Sequence, residues 1–77
     1  MDCSLYDIVY NGFRELIRRE SLPVIRQRVL VHEGFYVGYR FICESHEAIW
    51  LGDAVVEFRD GAGRSVRHSE VPGPVLA

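Results

Sequence analysis

The chain predicts an α+β fold in which one N-terminal amphipathic helix packs on a four- to five-stranded antiparallel meander, and which associates with other chains. Three observations lead there. Residues from Leu5 to Ile17 place apolar side chains at helical spacing. After Pro23 the apolar residues fall into short runs separated by glycine-bearing turns. Those runs are apolar at both odd and even positions, so the sheet they form carries apolar side chains on both faces.

The helix begins at Ser4-Leu5-Tyr6-Asp7, where the serine hydroxyl is placed to accept from the amide of Asp7 and the aspartate complements the helix dipole. Cys3 and Ile8 stand where a hydrophobic staple would close. Leu5, Ile8, Val9, Gly12, Phe13, Leu16 and Ile17 make one face, with Asp7, Asn11, Arg14, Glu15, Arg18 and Arg19 opposite. Pro23 is expected to end the helix, because the residue before a proline is excluded from helical geometry. Gly12 in mid-helix costs about 1 kcal/mol relative to alanine, and close packing of the helix on the sheet is the physical reason to keep it.

Strands are expected at about Val24 to His32, Tyr36 to Glu44, His46 to Leu51 and Ala54 to Asp60, with a short one from Ser65 to Ser69. Glu33-Gly34, Gly52-Asp53 and the segment Asp60 to Gly63 supply turns. The first hairpin has two registers. A two-residue Glu33-Gly34 loop sets Arg28 opposite Tyr39. A three-residue loop including Phe35 gathers Ile25, Val29 and Val31 with Val37, Tyr39, Phe41 and Cys43 on one face, although it brings Arg28 near Arg40. The second is preferred because it segregates the apolar residues. A turn at Glu44-Ser45 then sets Trp50 across from Tyr39 and Ala48 across from Phe41, under the helix with Phe13. Ile42, Ile49 and Leu51 fall on the other face, joined by Val56 and Phe58 if Gly52-Asp53 is a two-residue turn. A helix of about 16 residues covers about two thirds of one such face and none of the other. The uncovered group Ile42, Ile49, Leu51, Val56 and Phe58 is therefore expected to be an interface, with a second copy or another protein.

Seventy-seven residues make one small domain, read as residues 1–70, followed by an extended or disordered tail from Val71 to Ala77 with two prolines. Two cysteines and no signal peptide point to reduced thiols and a soluble, cytoplasmic protein of bacterial type. No apolar run approaches the roughly 20 residues of a membrane span. The formal net charge is −2, and all nine basic residues are arginine. Six of them lie between Arg14 and Arg40 against Glu15, Glu20 and Glu33, whereas residues 41–77 hold three arginines against six acids, an asymmetry that favours oriented association.

Signals for chemistry are sparse. Cys43-Glu44-Ser45-His46 has a Cys-x-x-His spacing that a zinc hairpin uses, but a structural site wants four ligands, and a buried cysteine beside a surface histidine is the expectation. The acids Glu44, Glu47, Asp53, Glu57 and Asp60 read as solvated surface, and Gly61-Ala62-Gly63 lacks the following helix of a phosphate loop. No catalytic residue, metal or cofactor is expected. Arg26, Arg28 and Arg40, with Tyr36, form the one binding constellation, expected together on the uncovered face as contacts for an anion or a protein partner. The functional expectation is a non-catalytic protein-interaction module, either a homodimer or an adaptor or inhibitor that docks its sheet on another protein. The alternative is nucleic-acid binding through the sheet and helix arginines with tyrosine.

Overall fold

A computed structural model describes residues 5–52 and 54–71. Helix α1, Leu5–Ile17, is followed by strands β1 (Arg26–His32), β2 (Phe35–Cys43), β3 (His46–Trp50), β4 (Val55–Arg59) and β5 (Ser65–Glu70). The strands form one antiparallel sheet in the order β1-β2-β3-β4-β5, so the chain is the helix-plus-meander that its pattern predicts. The shortest dimension is 20 Å, the thickness of one sheet layer and one helix layer. Among the described residues nothing covers the other face of the sheet.

The helix ends earlier than Pro23 requires. Arg18 takes φ 62° and donates its backbone N–H to the carbonyl of Arg14 at 2.8 Å, which is the left-handed cap that terminates a helix without proline. The chain released at Arg18 then runs irregularly, and Leu22 and Ile25 pack against the core from that segment. The proposed Ser4 cap and the Cys3 staple lie outside the described residues.

On the helix side of the sheet, Val9, Gly12 and Phe13 of α1 are buried with Phe41 and Cys43 of β2, Ala48 of β3, and Val56 and Phe58 of β4. Phe13 meets Phe58 edge to face, centroids 5.6 Å apart. A methyl group on Gly12 would lie 2.2 Å from the Phe58 ring, so the mid-helix glycine is indeed where helix and sheet approach closely. Across the sheet, Tyr39 pairs with Trp50, Phe41 with Ala48, and Cys43 with His46 around the Glu44-Ser45 turn, the register predicted for the second hairpin.

Two register expectations are corrected. The first hairpin closes with the two-residue Glu33-Gly34 turn, His32 pairing with Phe35 and Val31 with Tyr36, yet Arg28 pairs with Arg40 and Val29 with Tyr39 as the three-residue loop would demand. A β-bulge reconciles them: Val37 is an extra residue in β2, and beyond it the apolar register is recovered. The second correction concerns Val56 and Phe58. Trp50 pairs with Val56 and Ala48 with Phe58, so the β3–β4 connection is one residue longer than a two-residue turn. One residue inverts every side chain of the strand, and both residues are fully buried under the helix rather than part of an exposed interface. Val71 also belongs to the domain, bonding the Ala54 carbonyl through its N–H at 2.7 Å and packing on the core, whereas the rest of the expected tail, 72–77, lies outside the described residues.

Candidate functional site at the first hairpin

An uncovered apolar surface lies at the turn end of the first hairpin. Because α1 packs over the second half of β2 and over β3 and β4, the turn end of the β1–β2 hairpin extends past it. Val29, Val31, Phe35 and Tyr36 are exposed by 50%, 57%, 75% and 81%, values far from those of a core. The hairpin is set by its turn: Glu33 at φ 53° and Gly34 at φ 83° both take the positive φ of a type I′ turn, which fits the right-handed twist of the strands.

The bulge shapes the surface behind the tip. A side chain at Gly38 would collide with the Trp50 carbonyl oxygen at 1.9 Å, so only glycine lets β3 lie this close to the bulged strand. Tyr39 and Trp50 stack with their rings 5.9 Å apart and only 6° from parallel. With Val29, Tyr36, Val37 and Gly52 they line an open cleft of about 380 Å³ beside the helix. Tyr36 therefore faces the helix side. Its expected place among the arginines on the other face is overturned, because the bulge changes the parity of β2 between Tyr36 and Gly38.

The bare face is less apolar than its sequence suggests. Ile42 and Ile49 are half-buried and Leu51 is exposed there, but ladder neighbours separate them: Ile42 sits between Arg26 and Glu47, and Ile49 between Arg40 and Glu57. Arg40 bonds Glu47 at 2.6 Å and Arg59 bonds Glu57 at 3.2 Å. That hydrogen bond from Arg59 holds the Glu57 carboxyl below its ordinary range. Of the three arginines singled out, Arg40 is thus neutralised within the fold. Arg26 and Arg28, both exposed on β1, have no acidic partner among the described residues.

Cys43 and His46 face each other at the Glu44-Ser45 turn. The thiol is fully buried, 4.0 Å from the Pro23 carbonyl oxygen, and burial, with Glu44 adding to it against the opposing pull of Arg19, pushes its pKa up. Burial thus favours the neutral thiol over the more nucleophilic thiolate. His46 has a buried Nδ1 without a hydrogen-bond partner among the described residues. Two such groups fall short of a zinc set, and no cluster of three or more metal-ligating side chains occurs among the described residues.

Comparison with known protein families, with curated proteins and with solved structures found no match. Among the described residues no helix is long and apolar enough to cross a membrane.

Sequence patterning alone does not mark the hairpin residues Val29, Val31, Phe35 and Val37 as a site. The signal was present in the apolar run on both faces of β2, but the length of the helix and the position of the bulge decide which part of that run stays open.

Proposed function

We propose that this chain is a non-catalytic protein-association module whose working surface is the β1–β2 hairpin on the helix side of the sheet. One observation carries the reading: the large apolar side chains Val29, Val31 and Tyr36 stand exposed on one face beside the stacked pair Tyr39 and Trp50, placed there by the turn and the bulge. Contiguous exposed apolar surface of this kind, rich in tyrosine and tryptophan, is the chemistry of protein interfaces. A rigid aromatic floor is also where binding energy concentrates. On this reading Ile42, Ile49 and Leu51 are a secondary surface, since ion pairs interrupt them.

Nucleic-acid binding has one observation in its favour, Arg26 and Arg28 on an exposed strand without an acidic partner among the described residues. Of the aromatic side chains that would stack on bases, however, Tyr36, Tyr39 and Trp50 lie on the opposite face and Phe35 on that of the arginines, and Arg40 is engaged by Glu47. The association reading accounts for more of the surface.

The test is selection of a displayed random-peptide library against the folded chain, with the binding site mapped by amide chemical shifts. Binders are expected to perturb Val29 to Val31, Tyr36, Tyr39 and Trp50, and to be lost in Val29→Glu, which puts a charge at the mouth of the cleft. Binders that map elsewhere, or none at all, would overturn the proposal.

A further inference from the structure

β1 is an edge strand, hydrogen-bonded to β2 on one side only. In an antiparallel sheet every second residue of such a strand turns its N–H and C=O away from its neighbour, so about half of the seven residues of β1 present unpaired backbone groups outward. Proteins usually blunt an edge of this kind. The opposite edge, β5, is blunted: its ladder with β4 is irregular between Phe58 and Arg59, Arg67 is tied to Glu15 of the helix, and its Ser65 and His68 side chains contact each other. β1 differs. The bulge of the first hairpin lies in β2, which leaves β1 itself regular from Arg26 to His32.

The two faces of this edge are chemically distinct. Val29 and Val31 point to the helix side, where Val29 forms one wall of the cleft floored by Tyr39 and Trp50. Arg26 and Arg28 point to the bare side, with no carboxylate among the described residues to meet them. A strand lying against β1 would set alternate side chains against valines and against guanidinium groups. We infer that β1 is a docking edge for an extended segment of another protein in which acidic and apolar residues alternate, added to the sheet as a sixth strand. This inference rests on the association reading above and names the partner it takes. Backbone hydrogen bonds supply the ladder, the apolar side chains close over Val29 and the cleft, and the acidic ones meet Arg26 and Arg28.

A second copy of the chain fits this edge less well. Antiparallel pairing of all seven residues of β1 with its own equivalent sets Arg26 opposite His32 and Arg28 opposite Leu30, which gathers four guanidinium groups on one face of a ladder that contains no acid. A charge-complementary strand removes that repulsion.

The experiment uses the full chain and a soluble peptide of alternating aspartate and valine with capped ends, matched in length to β1. Controls replace aspartate by lysine, or set a proline at the centre. Binding is read by the fluorescence of Trp50, the chain's one tryptophan, and by hydrogen exchange at the Val29 and Val31 amides. Saturable binding of the aspartate peptide is expected, with the two amides protected and the proline peptide inactive. Exposed ion pairs are each worth about two- to fivefold in Kd, so the double reversal Arg26→Glu/Arg28→Glu should weaken the aspartate peptide about tenfold or more and make the lysine peptide the better ligand. Equal binding of both peptides by both proteins would overturn the inference. So would protection of the β1 amides by a concentration-dependent dimer, or displacement of the peptide by an oligothymidylate at physiological salt. Library binders that map to the hairpin and are lost in Val29→Glu, but that carry no acidic alternation, would sink this inference while leaving the association reading intact.

Discussion

Asp60 shows how one side chain holds a loop. Its Oδ1 accepts the backbone N–H of Ala62 at 2.9 Å and of Arg64 at 3.0 Å, closing the β4–β5 connection as aspartate does in turns. The bond from the Arg64 amide is the leading reason that its carboxyl sits below the usual range, as the bond from Arg59 is for Glu57. A carboxyl whose pKa is lower in the folded state binds fewer protons there than in the unfolded chain. Its stabilising contribution is therefore complete above the ordinary carboxylate range of about 4 and is lost as pH falls through the lower, folded value. Thermal unfolding between pH 6 and pH 2 should accordingly show a midpoint that falls with acid. In Asp60→Asn, which keeps the accepting oxygen but cannot titrate, that fall should be smaller, and an unchanged slope would show that Asp60 does not carry it. Cys43 illustrates the opposite sense, a group that burial holds in its neutral form.

At the scale of elements, the contact between α1 and the sheet decides the domain. Alanine at Gly12 would gain about 1 kcal/mol of helix propensity, yet its methyl would lie 2.2 Å from a Phe58 ring already packed edge-on against Phe13. Overpacking of this kind costs about 1 to 3 kcal/mol, from which that gain is subtracted, so Gly12→Ala should be destabilising by about 1 kcal/mol net. Urea unfolding followed by circular dichroism would read it, and a stabilised variant would show that the helix rides higher on the sheet. The helix was legible from its spacing and its glycine, but its end was not. Pro23 offered a stop, and the left-handed turn at Arg18 acts five residues sooner because Leu22 and Ile25 must leave the helix to reach the core. The strands were legible to within two residues of their ends. The bulge at Val37 was not, since an extra residue in a ladder leaves no composition signal apart from Gly38, whose need is created by the Trp50 carbonyl of another strand.

For the molecule as a whole, the core under one helix is thin and the hairpin beyond it contributes little to folding. Phe58→Ala should cost about 3 to 5 kcal/mol and leave so small a domain largely unfolded, because total stability at this size lies near the low end of about 5 to 15 kcal/mol. Tyr36→Ala, at an 81% exposed position, should shift stability by no more than about 0.5 kcal/mol. Calorimetry on the two variants separates them, and a Tyr36 effect as large as that of Phe58 would mean that the hairpin belongs to the folding core. The α+β class, the meander order, the second-hairpin register and the presence of more apolar sheet than one helix covers are all determined by the amino-acid sequence alone, because periodicity and turn chemistry are local properties of the chain. Which apolar residues remain uncovered was decided only by the tertiary structure. Val56 and Phe58 went inside and Tyr36 changed face through single-residue differences in connection and bulge, and in a lattice of period two a single residue inverts the face of everything that follows it.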